Sequence, residues 1–477
     1  MAEEAPKSLI SPAADLASLG EFFSFSDHGK KHKKSQWSYL YSLHDFIEWA
    51  ADWGISRPVI LIPLYLAMVI LIISLVPIVP ILAFGWLFLM LPVWGPVVFG
   101  ISFIRIWHWY AQSLFIAKRK VVLLEVKMPR DITKSPRAME QVFNSIWTSG
   151  GETTFIDRFY EGKMRPVLSF ELASFGGEVH FYIWVWKGLR DVIETAIYAQ
   201  YPEVEIFEAE DYARKFVYDP ETYDMYANDQ ILEGDMSGVK PIKSYIDFEL
   251  DKDPKTEFLI DPFAQVIEVL SSLRGSEQAW IQIVLTALKG SADKKFMADA
   301  DKVVADIRKA ASLNPGKEDA PESDERKYGF PRPTWMENEL IQAIQRNRAK
   351  KHYMVGVRLC YIAKIADYRS DVRSAIRWIF LPYTNQNSNW LRPKRWHGPF
   401  DYPWQDFQGI RFRMTSRRFL DAYRRRSFFY APWVTPHHVM SSESLASIWH
   451  PPSAAIKSPG LQRIPAKKSE PPPNLPM

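Results

Sequence analysis

The hydrophobic pattern along the chain changes character at two places. From 58 to 104 no Asp, Glu, Lys or Arg interrupts an apolar run, about twice the roughly 20 residues that cross a bilayer. Pro77-Ile78-Val79-Pro80 divides the run, because proline lacks a backbone donor and restricts the residue before it. The pattern therefore predicts two antiparallel transmembrane helices, roughly 58–76 and 81–104. Gly85, Pro92, Gly95, Pro96 and Gly100 could kink the second. The run starts too late and is too long for a cleaved signal peptide; a buried helical hairpin is the alternative. Lys30, Lys31, Lys33 and Lys34 before the run, and Arg105, Lys118, Arg119 and Lys120 after it, predict a multi-pass protein of the cytoplasmic membrane with both termini cytoplasmic. Trp37, Tyr39, Tyr41, Trp49 and Trp53 on one side, and Trp107, Trp109 and Tyr110 on the other, would form interface belts. Residues 1–35 read as a disordered basic tail, 36–57 as an interfacial amphipathic helix and 105–120 as a juxtamembrane helix.

Beyond 120 the pattern is mixed. A strand at 121–126 is followed by a helix at 135–147, with Ser135 as N-cap and Pro136 at the first helical position. Strands at 166–174 and 178–186 flank Phe175-Gly176-Gly177, a hairpin turn. A helix at 189–200 and a strand at 204–207 complete a β-α-β-β-α-β unit over 121–215. After a linker at 216–241, strands at 242–250, 278–288, 353–363 and 410–414, with helices at 261–273 and 367–380, suggest a second pass over 242–414. It carries an insertion at 290–350, two helices around the polar linker 314–332. The expected fold class is thus α+β: an N-terminal two-helix transmembrane hairpin, then two tandem ferredoxin-like (split βαβ) units, the second with a helical insertion. A basic region at 415–450 and a Pro-rich tail at 451–477 follow.

A chain of 477 residues can hold more than one core. Its net charge of +4 is too small to indicate nucleic acid by itself. The single cysteine, Cys360, allows no intrachain disulfide and lies in an apolar run, where it reads as a small hydrophobe. Gly-x-x-x-x-Gly-Lys-Ser/Thr, Gly-x-Gly-x-x-Gly and Gly-x-Ser-x-Gly are absent. His437, His438 and His450 lack the i, i+4 spacing that a helical zinc site favours, and Glu208, Glu210 and Asp211 read as a solvated turn. No catalytic residue, metal ligand or cofactor is predicted. One regional feature remains. Between 346 and 426 basic residues outnumber acidic ones, with Trp390, Trp396, Tyr402, Trp404 and Phe407 interleaved. Arg392, Lys394, Arg395, Arg417, Arg418, Arg424, Arg425 and Arg426 are the candidate contacts to an anionic partner, whether nucleic acid, anionic lipid or an acidic protein surface; an ordinary solvated face is the alternative.

The stretch Leu168-Ser-Phe-Glu-Leu-Ala-Ser-Phe-Gly-Gly-Glu-Val-His-Phe-Tyr-Ile183, continuing through Val192-Ile-Glu-Thr-Ala-Ile-Tyr-Ala-Gln-Tyr-Pro-Glu-Val-Glu-Ile206, resembles the N-terminal region of bacterial conjugation and type IV secretion ATPases. Val439-Met-Ser-Ser-Glu-Ser-Leu-Ala-Ser-Ile-Trp-His-Pro-Pro452 resembles the segment that leads into their motor domain. The resemblance covers most of the chain beyond about 121, without the P-loop motor. It implies a non-catalytic membrane anchor and assembly module of a conjugation-like DNA or protein transfer machine. Its expected partners are the lipid bilayer, a P-loop motor ATPase on a separate chain, DNA as an anionic substrate, and further copies of itself in a homo-oligomer. The alternative is a membrane-attached nucleic-acid-binding protein that acts without a motor.

Overall fold

The computed structural model of the chain describes residues 65–70, 85–86 and 88–464, apart from 130–131, 133, 149, 152–153, 253–260, 314–332, 397–401, 403, 431, 454–455, 457, 459 and 462. The chain divides into two units, Met1–Gly85 and Trp86–Met477. Of the first, residues 65–70 and Gly85 are described, as helix. The interfacial helix expected at 36–57, the tail at 1–35, most of the first expected span and the C-terminal stretch 465–477 lie outside the described residues.

In the second unit helix α1 (Leu91–Lys118) does not stop at 104. It continues through Arg105 and His108 to Lys118, so its charge-free part, 91–104, is shorter than the roughly 20 residues a bilayer requires. Among the described residues no helix is long and apolar enough to cross a membrane. This corrects the expected transmembrane hairpin at 58–104 and the multi-pass placement in the cytoplasmic membrane. The expected juxtamembrane helix is the second half of α1.

The remaining chain builds one mixed sheet. Strand β1 (Val121–Pro129), helix α2 (Pro136–Ile146), strands β2 (Leu168–Phe175) and β3 (Glu178–Trp186), helix α3 (Arg190–Gln200) and strand β4 (Glu205–Ala209) come first. After a short helix α4 (Tyr212–Lys215) come β5 (Tyr223–Leu232), α5 (Phe263–Ser271), β6 (Gln278–Ala287), the insertion helices α6 (Gly290–Leu313) and α7 (Trp335–Arg348), β7 (His352–Lys364), α8 (Ser370–Arg377) and β8 (Leu391–Arg395). The chain closes with α9 (Ile410–Arg424), β9 (His438–Ser441), α10 (Ser442–Ile448) and β10 (Arg463–Ile464). The strands run in the order β4-β1-β3-β2-β6-β7-β5-β8 through antiparallel pairs; β9 adds to β7, and β10 lies parallel to β1. Each half thus has the strand order 4-1-3-2 of a split βαβ unit. The halves are one continuous sheet rather than two units in tandem, because β2 and β6, the second strand of each half, pair along their length from Leu168↔Leu285 to Phe175↔Gln278.

Two expected strands of the second half are elsewhere. Residues 245–250 form turns, with Glu249 in the left-handed region at φ 59; Ile242, Tyr245 and Leu250 are buried there without a strand. The strand is β5, inside the expected linker, and residues 410–414 open helix α9. β5 carries Asp224, Asn228 and Asp229, residue types poorly suited to strands. Tertiary contacts override that preference: β5 is held between β7 and β8.

Both faces of the sheet are covered, so the inner strands are buried almost end to end. One face carries α2, α3, α5, α8 and α10 through Phe143, Ile197, Phe263, Ile376 and Leu445. The other is capped by α9, α4 and Phe428, which pack on Trp184, Trp280, Cys360 and Ile362. The insertion helices α6 and α7 form a third cluster with Leu288 and Val239. Gly356 is what admits Phe428 to the second face, since a Cβ there would stand 2.3 Å from the ring. Gly356→Ala is therefore expected to destabilise the fold by roughly 1–3 kcal/mol, measured by equilibrium denaturation; a loss below about 0.5 kcal/mol would contradict the packing described.

Candidate functional site

The structure does not gather the eight candidate basic residues on one surface. Arg392 and Lys394 point to solvent from edge strand β8, Arg392 against Glu233, with Pro393 between them and Arg395 closing the strand. Charge and proline on an edge deter pairing with another chain, and here they have that position. Arg417 and Arg418 are exposed on α9. Arg425 is exposed and pairs with Asp421 at 2.8 Å. Arg424 turns inward and donates to the carbonyls of Ala213 (2.8 Å) and Phe216 (2.6 Å), which satisfies the C-terminal end of α4.

Arg426 is buried, 2% exposed, in the left-handed region at φ 50 just past α9. Its Nε and Nη2 donate to the two oxygens of Glu171 on β2, each at 3.0 Å. Nη1 and Nη2 also reach Asp211, the N-cap of α4. Glu171 has further donors: Ser169 at 2.6 Å, Tyr212 at 2.8 Å and Gln282 at 3.1 Å. Tyr212 and Tyr423 share a 2.8 Å hydrogen bond. Burial works against the Arg426 charge, and Glu171 and Asp211 more than offset it, holding the guanidinium well above its ordinary pKa. Burial also pushes the Tyr212 and Tyr423 hydroxyls well up, so both stay protonated. Beside this cluster Arg358 lies on β7, its Nε 3.3 Å from Asp229 and its guanidinium 4.4 Å from the Phe428 ring. Burial dominates this pair, raising the Asp229 carboxyl to about 6 and lowering Arg358. Every oxygen of Glu171 already accepts hydrogen bonds from the protein, so the arrangement clamps α4, α9 and the sheet together.

A second polar network lies on the opposite face. Glu443 of α10 accepts from Arg346 (2.9 Å) and faces Lys350 (3.5 Å); Lys350 also binds the buried Glu140 of α2 at 2.8 Å. Tyr245 donates to Glu140 at 2.6 Å. Among the described residues no group of three or more His, Cys, Asp or Glu could hold a metal ion. His450 is a core residue, facing Asp261 at 3.1 Å and packed on Phe263; His438 is buried on β9, and His437 faces the Thr435 carbonyl. Cys360 is buried, and burial pushes its thiol up. Asp211, read as part of a solvated turn, is a partner of the buried guanidinium. No protein-family model matches this chain, and no curated protein matches it.

Sequence reasoning missed Glu171, Gln282, Asp229 and Arg358. Their signal is a polar residue in the middle of an apolar strand, as in Leu-Ser-Phe-Glu-Leu and Val-Gly-Val-Arg-Leu-Cys, where burial demands a partner. Removing one member of a buried ion pair strands the other. Arg426→Leu is expected to cost roughly 3–5 kcal/mol, against less than about 0.5 kcal/mol for Arg417→Ala. Urea unfolding of the two variants checks this, and equal effects would contradict the clamp.

Burial holds the His438 imidazole down to about 3, from 6.5 for a free histidine. Between those values the unfolded chain takes up a proton that the folded chain refuses. Stability from this site is therefore complete above pH 6.5 and falls as pH drops towards 3, by about 1.4 kcal/mol per unit. The stability difference between the wild type and His438→Leu should carry this slope; a flat difference between pH 6 and 4 would remove His438 from the account.

Proposed function

We propose that this chain is a non-catalytic assembly module of a conjugation-like (type IV secretion) DNA or protein transfer machine, docking a separate P-loop ATPase. The observation that supports this reading is the state of 439–452, the segment resembling the approach to a motor domain. All seven residues of α10 are buried, and Glu443 ties it to Arg346 and Lys350 at the end of the insertion. The chain then runs to the sheet edge, where Leu461 bridges Val179 and β10 lies along β1. A segment held this firmly suits a platform that presents a fixed surface to a motor. The edge beside it carries the exposed Phe207 on β4.

A photo-crosslinker in place of Phe207, in the full chain in its native cells, should trap a protein whose peptides include a Walker A motif. Recovery of the full chain as an uncrosslinked monomer would overturn the reading.

A second reading, nucleic-acid binding without a motor, is favoured by the exposed side chains of one stretch of chain. Exposed Arg417 and Arg418 follow exposed Trp404 and Phe407, and Tyr402 stacks on Trp404 with ring centroids 4.7 Å apart. Rings and arginines together suit unstacked bases and phosphates. Arg424 and Arg426 do not take part, since they point inward. If these side chains bind single-stranded DNA, Arg417→Glu with Arg418→Glu lowers the slope of log affinity against log salt by about 1.4; an unchanged slope in a fluorescence-anisotropy titration rules this out.

A further inference from the structure

Over residues 91–110 nearly every side chain of α1 is apolar and exposed, and a helix that is apolar this far round is a covered helix. Its sides are not equivalent. Val93, Val97 and Ile104 line up at helical spacing with His108 and Ala111, and there the helix packs on its own chain: His108 lies against the Phe159 ring and Ala111 meets Gly162. Phe99, Phe103, Ile106 and Tyr110 are turned away from that side, 75, 65, 63 and 54% exposed. Their 4-3-4 spacing is that of the seam two helices share in a coiled coil. At roughly 200 Å² for a whole aromatic side chain, the four offer about 500 Å² per helix. The flanking Val98, Trp107 and Trp109, also exposed, bring a pair of helices to roughly 1,200 Å², where stable interfaces begin. The seam is uncharged, so the same stripe on another copy meets it without repulsion.

We propose that this stripe docks a second copy of the chain, the two α1 helices pairing antiparallel across a two-fold axis through Phe99, Phe103, Ile106 and Tyr110. Charge sets the direction. α1 holds Arg105 and Lys118 and no acidic residue, and Arg119 and Lys120 follow it. A parallel pair brings both copies of Lys118-Arg119-Lys120 together against their repulsion; the antiparallel pair keeps them at opposite ends and opposes the two helix dipoles. The stripe uses neither the edge near Phe207 nor Arg417 and Arg418, so it stands whichever reading of function holds.

Sedimentation equilibrium of the full chain tests the pairing. The wild type sediments as a dimer. Phe103→Glu with Ile106→Glu weakens association at least tenfold and leaves the circular dichroism unchanged, whereas Val97→Glu with Ile104→Glu, on the side aligned with His108, still dimerises. Wild-type monomers, with or without co-purified lipid, overturn the proposal, as does equal behaviour of the two double variants. Because Cys360 is buried, a spin label on Lys118→Cys reads the direction. The labelled positions of an antiparallel pair centred between Phe103 and Ile106 lie about 40 Å apart, against axes roughly 10 Å apart in a parallel one; the short distance overturns the antiparallel arrangement.

Discussion

A guanidinium with almost no exposed surface dictates much of what surrounds it. Removing Arg426 from water costs several kcal/mol unless each donor finds a partner, and the chain supplies those partners from two distant places, Glu171 on β2 and Asp211 at the start of α4. Because Glu171 lies on a strand at the junction of the two halves, meeting this one requirement fixes where α4 and α9 sit on the sheet. Tyr212, Gln282 and Ser169 complete the coordination of Glu171, so the centre of an otherwise apolar face has one polar arrangement that satisfies it. Arg358 and Asp229 repeat the device two strands away, less favourably, as the raised Asp229 carboxyl shows.

The sheet is closed on both of its faces. Helices on one face and α9, α4 and Phe428 on the other leave the central strands no open surface. Contacts with other molecules are left to the edges, to the insertion and to exposed helix faces. The edges differ in character. β8 presents Arg392 and Lys394 around Pro393, which discourages strand addition, whereas β4 presents Phe207 beside the segment descending from α10. α1 carries Val97, Phe99, Phe103 and Ile106 exposed, a further apolar surface on the same unit.

What could be read from the sequence followed the strength of local signals. The hairpin around Gly176 and Gly177 was legible because both glycines adopt positive φ, 59 and 96, as the turn requires. Helix α2 was legible from Ser135-Pro136, and strands β6 and β7 from continuous apolar runs. β5 was hidden because its polar residues are chosen by partners remote in sequence: Asp229 by Arg358, and Gln230 by the carbonyl of Arg377. The segment 242–250 misled for the opposite reason: its apolar side chains pack without a strand. The apolar run at 58–104 misled at its end, since helix periodicity carries on past the last uncharged residue. The basic region was the least legible. A count of arginines has no sign for direction, and a stretch that includes one surface pair, one carbonyl cap and one buried clamp at consecutive positions 424–426 cannot be divided by composition.

The two polar networks sit on opposite faces of the sheet and pin opposite ends of the same C-terminal stretch. Arg426 fixes its beginning, just past α9, and Glu443 fixes α10, some twenty residues later, against the insertion. Between them Gly356 and Phe428 interlock, and β9 pairs with β7 from His352↔Ser441 to Val355↔His438. Movement of any part of this stretch would break a buried charge pair or open a cavity, either of which costs several kcal/mol. A partner that meets the chain here meets a surface whose shape is already set, so binding is better treated as rigid docking than as coupled folding. The stiffness lies in side chains that sequence alone presents as an ordinary run of charge.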